Sequence, residues 1–420
     1  MEAPLLTGKK HGVVGEEDTS ACSEVRKQLY LAGPLVAAHL LMNSVQVVSL
    51  MFVGRLGRLE FAGASVATAF TTATGLCLLG GMASALATLC GQAFGAGQYR
   101  QVGVHKQRAM LVLAAASVPV AALWAYAGEL LAWCGVDTDI AASAGSYARW
   151  LTPSLFAFAQ MQCHIQFLQA QNVVVPVMAG AAAAAACHPV VCWLLARGLG
   201  LGSRGVALSI AVADLVNLAV LAVYVRVAPS CKATTWTGFS GEAFHGIPGF
   251  LKLAVPSALM VCMEWWSFQL LVLLAGLLPN PKLETAVVSI SLHTVNLAVM
   301  VSIGLGSAIS TRVSNELGAS RPAAAGLATR VVLFLAISVC VSEGLAMVLA
   351  RNLLGYVYSN DEEVAKYAAR VMPVLAVALL FDGLQNVLSE RKGKKPPQQK
   401  SANTMTSAGE NSGSPRIPPS

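Results

Sequence analysis

Four carboxylic acids stand inside long apolar stretches of the sequence: Glu264, Asp382, Glu343 and Asp214. A charged side chain in hydrocarbon costs at least ~2.5 kcal/mol, so acids in such places are retained for a role. A carboxyl group in surroundings of low dielectric constant binds and releases a proton reversibly, and a cation is able to replace that proton as the counter-ion. The chemistry that these residue types offer is therefore competition between a proton and a cation.

The spacing of the acids places two of them at the same depth. Glu264 and Asp382 each stand eleven residues into an apolar stretch, and eleven helical residues cover about half of the hydrocarbon thickness. We expect both to bind protons or cations. Glu343 reaches a similar depth and Asp214 lies in the first half of the chain; for these two, a structural hydrogen bond between helices is the favoured alternative.

Aromatic and polar side chains accompany the acids. Trp265 and Trp266 follow Glu264, and their rings suit organic cations or flat ring systems. We expect Trp265 to line the substrate cavity, with the alternative that one of the two tryptophans faces lipid. Five polar residues inside apolar stretches either line a cavity or bond helices together: Asn43, Gln46, His293, Asn296 and Gln385. Pro34 and Pro256 either allow helices to bend or mark helix starts.

Composition excludes several classes of protein. Charged residues make up 12% of the chain and hydrophobic residues 55%, whereas soluble domains carry roughly 25% charged residues. The net charge of +7 is scattered among apolar stretches, which argues against nucleic acid as a partner. The ten cysteines stand singly, and no Ser/His, paired-Asp or metal-ligand spacing occurs. We therefore predict no enzyme, no catalytic residues, no metal and no cofactor.

Ten apolar segments are long enough to cross about 30 Å of hydrocarbon as helices. They are 29–53, 62–90, 108–128, 147–169, 173–196, 205–226, 250–277, 285–311, 331–350 and 371–389. The sequence thus predicts an all-α polytopic membrane protein.

The distribution of Lys and Arg predicts the orientation. Nineteen of these residues fall on the side of the N-terminus and nine on the other, which predicts a cytosolic N-terminus. We expect a first lobe of six helices over 25–227, a cytosolic loop over 228–248 and a second lobe over 249–389. The polar ends, 1–24 and the basic 390–420, are expected to be disordered.

An internal repeat divides the chain. Residues 81–96 (GMASALATLCGQAFGA) recur at an offset of 223 as 304–319 (GLGSAISTRVSNELGA), with Gly, Ser, Ala and Thr matching in order. The copies begin six helices apart, so they are parallel repeats related by an axis along the membrane normal. We expect two helical bundles around a central cavity.

The second copy ends earlier than the first. Ser389 corresponds to Gln169, after which the first copy continues with two further spans. The pattern predicts six helices in the first bundle and four in the second. A splice variant or gene-model error is the preferred explanation, and a natural ten-helix protein is the alternative.

Four motifs carry a resemblance to a known family: MFVGRLG at 51–57, AGASVAT at 62–68, TLCGQAFGA at 88–96 and QRAM at 107–110. In this order and spacing they resemble the plant branch of the multidrug and toxic compound extrusion (MATE) transporters. The resemblance covers about residues 25 to 389.

This resemblance implies twelve helices in two six-helix lobes around a V-shaped cavity, with export driven by inward proton flow. The family's acids in helices seven and ten match Glu264 and Asp382, and its bent first helix matches Pro34. Three departures are that Ala87 replaces a frequent acid, that Asn43 lies near a first-lobe aspartate of some prokaryotic relatives, and that two helices are missing.

The expected function is proton-coupled antiport that exports small organic compounds, cationic or aromatic, from the cytosol. The expected partners are that substrate, protons and the lipid bilayer, for a monomer in the plasma membrane or the vacuolar membrane. The alternative is a truncated product of the same family that does not transport.

Overall fold

Ten long helices follow one another in the computed structural model of this protein, which describes residues 21–229, 231–275, 280–353 and 362–392. They are α1 (Ala21–Gly54), α2 (Arg58–Gly95), α3 (Tyr99–Ala125), α4 (Thr138–Ala170), α5 (Val175–Gly198), α6 (Ser203–Val227), α7 (Ile247–Ala275), α8 (Pro281–Gly318), α9 (Pro322–Leu349) and α10 (Glu362–Lys392). A short helix, Ala127–Trp133, lies between α3 and α4. Each predicted span corresponds to one long helix, which confirms the all-α membrane fold.

Length and hydropathy support membrane insertion for most of these helices. Within the described ranges, nine helices are long and apolar enough to cross a membrane. The tenth, α4, spans 33 residues and carries more polar side chains, among them Gln160 and His164. It packs against α2, α3 and α6, so these neighbours cover much of its surface.

Local sequence signals set several helix ends. Asp137 caps α4, because its carboxylate accepts hydrogen bonds from the backbone N–H groups of Asp139 and Ile140 at 3.0 and 3.3 Å. Pro281 and Pro322 open α8 and α9, where the missing N–H of proline costs nothing. Most helices extend beyond the predicted apolar spans because polar turns outside the hydrocarbon continue the same hydrogen bonding. The predicted span 108–128 is corrected, since its helix ends at Ala125 and the short helix begins at Ala127.

The structure corrects the expected boundaries of the two disordered ends. Residues 21–24, expected to be disordered, form the first turn of α1, and Glu24 is buried there. At the other end, α10 continues to Lys392, into the first residues of the expected tail. The remaining residues of both expected disordered segments, 1–20 and 393–420, lie outside the described residues.

Helix packing separates the chain into two lobes. In the first lobe α4 packs against α2, α3 and α6, while α1 packs against α5. In the second lobe α8, α9 and α10 pack against one another around a core of their own, with Val287, Met347 and Met372 buried in it. The lobes meet where α1 and α2 contact α7 and α8.

The two copies of the repeat contact each other reciprocally. A Cβ on Gly95 of α2 would overlap Asn315 of α8, and a Cβ on Gly318 of α8 would overlap Gln92 of α2. Gly95 and Gly318 are equivalent in the repeat, as are Gln92 and Asn315, each pair being offset by 223. The predicted repeat therefore appears as a pseudo-two-fold contact that requires a residue without a side chain.

A second reciprocal contact lies farther along the same helices. Gly81 of α2 touches the backbone at Ala258 of α7, and its equivalent Gly304 of α8 touches Val36 of α1. The constant offset between the copies thus places small residues where the lobes approach closely.

The linker between the lobes is fastened to the first lobe. The amine of Lys106 on α3 is fully buried and lies 4.2 Å from the ring centre of Trp236 and 4.5 Å from that of Phe167. Gln107 donates to the carbonyl of Gly238 and accepts from the backbone N–H of Ser240, at 2.7 and 2.8 Å. The linker is thus held along much of its length by one face of α3.

Candidate functional site

Glu264 lies on α7 where this helix packs against the first lobe. Glu264 is half-buried, α7 packs against α2, and the carboxylate lies within electrostatic range of the Cys77 thiol of α2. The acid is therefore at the lobe interface rather than inside the second lobe.

A π-helical turn in α2 faces this acid-bearing helix. Thr72–Leu76 winds more widely than the rest of α2, and such turns leave carbonyl groups available to other donors. The indole Nε1 of Trp266 on α7 donates to the carbonyl of Ala73 at 3.0 Å. On the α3 side, the indole of Trp124 donates to Thr74 Oγ1 at 3.1 Å. Two tryptophans thus hold this turn from two neighbouring helices.

Asp382 and Glu343 belong to one neighbourhood in the second lobe. Both interact electrostatically with the thiol of Cys340 on α9. The backbone of α10 approaches closely at Gly383, where an added Cβ would overlap the Cys340 sulfur and come within 3.2 Å of the Ser302 hydroxyl of α8. The structure therefore brings together an acid of α9 and an acid of α10 beside α8.

Asp214 has a different setting in the first lobe. It is buried between α6 and α4 and accepts a hydrogen bond from the hydroxyl of Ser154. Asn217 lies three residues after Asp214 on α6, and its side-chain amide donates to the sulfur of Met42 on α1 at 3.4 Å. These contacts fit the structural alternative stated for Asp214, a bond between helices.

The other predicted residues occupy several surroundings. Trp265, Asn43 and Asn296 are half-buried, whereas Gln46 and Gln385 are exposed. His293 belongs to α8, but its side chain lies outside the described residues. Their lining of a cavity stays a prediction.

The two prolines lie well inside their helices. Pro34 is in α1 and Pro256 is in α7, and both helices continue on either side. Neither proline is therefore a helix-start residue. Each removes one backbone hydrogen bond from a helix that forms the lobe interface, which is where bending would change the contact between lobes.

A buried ion-pair cluster joins the lobes at the end of the bundle where α1 begins. Arg312 of α8 contacts Glu24 of α1 at 3.1 Å and Glu316 at 3.0 Å, and its side chain is 13% exposed. Beside it, the Asn315 amide donates to the carbonyl of Ala170 at the end of α4, at 3.1 Å. We call Glu24, Arg312, Glu316 and Asn315 the amino-end latch.

The amino-end latch has no signal in the sequence that would predict it. Glu24 lies in a segment expected to be disordered, and Arg312 contributes only to the predicted orientation. The two residues are 288 positions apart, and no local pattern relates them. Nor does the sequence distinguish Trp266 from Trp265 as the tryptophan that bonds the first lobe.

A cavity in the first lobe lies apart from the lobe interface. In the described part of the chain, no group of three or more His, Cys, Asp or Glu residues is arranged to hold a metal ion. A cavity of about 570 Å³ lies between α3, α4 and the linker, bordered by Met110, Phe156 and Phe239 among others. It contains none of the predicted site residues, so it is separate from the lobe interface.

Comparison with known proteins identifies the family. The family model MatE matches twice, at residues 34–194 and 256–391, once in each copy of the internal repeat. Protein DETOXIFICATION 16 of Arabidopsis thaliana is 50% identical over 377 residues, which cover 90% of this chain and 77% of that protein. Protein DETOXIFICATION 17 of the same plant is 47% identical, covering 90% and 80%.

Solved structures agree with the sequence comparison. The crystal structure of the eukaryotic MATE transporter AtDTX14 superimposes with a TM-score of 0.84 at 39% identity, covering 88% of this chain and 82% of that one. A mutant of the Vibrio cholerae MATE transporter VcmN shares the fold with a TM-score of 0.77 at 16% identity, covering 89% and 85%. The chain belongs to the MATE family and is a multi-pass membrane efflux transporter rather than an enzyme.

Proposed function

We propose that this protein is a proton-coupled antiporter that exports cationic or aromatic organic compounds from the cytosol. Glu264 and Asp382 bind the proton or the cationic cargo in turn. The N-terminus lies in the cytosol, as the excess of Lys and Arg on that side supports, and the membrane is the plasma membrane or the vacuolar membrane.

The observation that carries this proposal is the position of Glu264 between the lobes. A carboxylate on α7 beside α2 attracts a cation when it is charged and loses that attraction when it is protonated. Because the same group borders the lobe contact, exchange of proton for cargo alters the interaction that the lobes must break and remake. Protonation from the outer side therefore releases cargo outward, and deprotonation toward the cytosol resets the cycle.

Asp382 supplies the second site in this proposal, and Glu343 supports it. Both carboxyl groups lie near the thiol of Cys340, so the second acid of the proposal has a further carboxyl group in its neighbourhood. A proton bound at Asp382 neutralises its charge in the membrane while Glu264 carries the cargo.

The amino-end latch sets the conformation. With a cytosolic N-terminus, the ion pair between Arg312 and Glu24 closes the cytosolic end. Uptake of cargo from the cytosol then requires this pair to open, and release requires it to close. The latch supports alternating access in which α1 and α8 separate on the cytosolic side.

A pH difference across the membrane supplies enough free energy to drive this exchange. One unit of pH difference supplies ~1.4 kcal/mol per proton, which sustains about a tenfold gradient of an exchanged monovalent cation. One charge enters as one leaves, so the membrane potential adds nothing to a one-for-one exchange.

Transport by vesicles tests the proposal. The purified chain is reconstituted, a pH gradient is imposed, and uptake of a fluorescent aromatic cation is followed. We expect uptake that depends on the gradient, and we expect Glu264→Gln and Asp382→Asn to fall to the level of protein-free vesicles. Glu129→Gln, which alters an exposed acid of the short helix, serves as the control and retains uptake. Gradient-driven uptake that is undiminished in Glu264→Gln contradicts the proposal.

A further inference from the structure

A small polar pocket lies at the end of the first lobe opposite the amino-end latch. Its volume is about 320 Å³, and it is lined by Ala142, Ser146, Arg149 and Trp150 of α4 and by Arg204 of α6. Arg204 is the second residue of α6, so the pocket sits where that helix enters the membrane. Two guanidinium groups from different helices therefore border one space.

Both guanidinium groups are oriented by the protein yet lack an acidic partner. Arg204 donates from Nε to the hydroxyl of Ser146 at 2.9 Å, and Arg149 donates from Nε to the carbonyl of Gly145 at 3.2 Å. Throughout the described ranges, neither arginine forms an ion pair with a carboxylate. The pocket thus concentrates two positive charges whose terminal N–H groups are available to a ligand.

The pocket is at the depth of the membrane–water interface. Four large aromatic side chains at this end of the first lobe are exposed: Tyr126, Trp133, Trp150 and Trp193. Aromatic residues of this kind collect at the level of lipid headgroups. The pocket therefore opens where phosphate groups of the bilayer are present at high local concentration.

The exposed face of α4 continues from the pocket along the membrane. Besides α2, α3 and α6, the short helix Ala127–Trp133 packs on the first turns of α4, and the α4 residues between these contacts are exposed. Exposed Pro153 lies one turn from Arg149, and exposed Phe156 follows it at the border of the cavity of about 570 Å³. These two residues offer apolar surface to an acyl chain whose headgroup is in the pocket.

We propose that this pocket binds the phosphate of a phospholipid, with Arg149 and Arg204 donating to its oxygens and Trp150 covering one side. The planar guanidinium fork matches phosphate geometry, and two forks on neighbouring helices hold one phosphate from two directions. The bound lipid ties the start of α6 to α4. Since cationic cargo is repelled by two guanidinium groups, this site is separate from the transport route and does not depend on the proposed coupling mechanism.

A phospholipid is favoured over a free anion for one reason. Inorganic phosphate would use only the two arginines, whereas a lipid also covers the exposed apolar face of α4. The two arginines therefore recognise the phosphate of the lipid, and the apolar face of α4 recognises its acyl chain.

Native mass spectrometry of the full-length protein in detergent tests the site. Phosphatidylglycerol is titrated into wild type, the double variant Arg149→Gln with Arg204→Gln, and the control Arg197→Gln. Arg197 is also an exposed arginine at this end of the lobe but does not line the pocket. We expect lipid affinity to fall roughly tenfold for each pocket arginine removed and to stay unchanged in the control.

Two further measurements distinguish a lipid phosphate from inorganic phosphate and control for misfolding of the variant. Inorganic phosphate at millimolar concentration is expected to leave the bound lipid in place; displacement by it would overturn the lipid assignment. If the glutamine variant does not fold, Arg149→Lys with Arg204→Lys keeps the charges and loses the planar forks, and we expect intermediate affinity. Equal retention of phosphatidylglycerol by wild type and by a folded double variant would refute the site.

Discussion

Carboxyl groups in the two lobes have different surroundings, and these surroundings assign them different roles. Asp214 is buried and accepts the Ser154 hydrogen bond, so its partner is built into the first lobe. Glu264 is half-buried beside α2, where the lobes contact each other. The same functional group therefore bonds two helices in the first lobe, whereas at the lobe interface we propose that it exchanges a proton for cargo.

A pair of substitutions at Asp214 tests this distinction. Asp214→Asn keeps an acceptor for Ser154 and is expected to retain gradient-driven transport, unlike Glu264→Gln. Asp214→Leu leaves the buried Ser154 hydroxyl without its acceptor, which is expected to cost about 1–3 kcal/mol of stability, measured as a lower Tm in detergent. Loss of transport in a stable Asp214→Asn protein would show that the first lobe also carries a coupling site.

The acids could be predicted from the sequence, whereas the contact made by Trp266 could not. The two acids of α7 and α10 stand out in the sequence because a charge in an apolar stretch is rare. The choice between Trp265 and Trp266 is different, since neighbours on a helix point about 100° apart and the sequence does not say which direction faces the other lobe. Only the packing of α7 against α2 reveals that Trp266 reaches the Ala73 carbonyl.

At the level of helices, the start of α1 and the end of α8 are joined by the amino-end latch. The amino-end latch places a guanidinium group between two carboxylates with little exposure to water. Removing one member of such a buried set leaves the others charged and unpaired, whereas an exposed ion pair contributes little. The latch is therefore expected to control how readily α1 and α8 separate.

Two arginine substitutions compare a buried pair with an exposed one. Arg312→Gln is expected to lower stability by about 3–5 kcal/mol and to increase amide hydrogen exchange at the start of α1 and the end of α8. Arg100→Gln removes the exposed pair with Glu242 at 2.6 Å and is expected to change stability by less than about 1 kcal/mol. Equal amide hydrogen exchange at these helix ends in Arg312→Gln and wild type would contradict a role of the amino-end latch in transport.

Elements differ in how far sequence predicts them. The apolar spans and helix-breaking residues predict the ten helices because both signals are local. The fastening of the linker has no such signal, because it depends on Lys106 of α3 meeting Trp236, which is distant in the sequence. In the sequence, Lys106 is only one of many basic residues on the side predicted to be cytosolic, and its burial between aromatic rings arises from tertiary packing.

The whole molecule is two lobes in contact through equivalent small residues. The glycines that revealed the repeat in the sequence are the ones that allow α2 and α8 to approach. The repeat therefore predicts both the two-fold architecture and the residues that make its contact, although the partners of each glycine are visible only in the structure. The contact is close, so adding volume there forces the lobes apart.

Alanine substitutions test the pseudo-symmetry of this contact. Gly95→Ala and Gly318→Ala are each expected to cost about 1–3 kcal/mol by overpacking the interface and to reduce transport similarly. Gly80→Ala lies on the same helix as Gly95 but meets no neighbouring atoms within 4 Å. It is expected to be neutral or stabilising by up to about 1 kcal/mol. A large difference between Gly95→Ala and Gly318→Ala, in Tm or in transport, would contradict the symmetric contact.

Competition between proton and cargo at Glu264 is the central claim, and it is measured most directly by proton release. An aromatic cation is added to the purified protein in weakly buffered detergent solution, and the pH is recorded with an indicator dye. We predict that binding of the cation releases protons from wild type and that Glu264→Gln releases measurably fewer. Saturating cation binding without proton release from wild type would contradict the account.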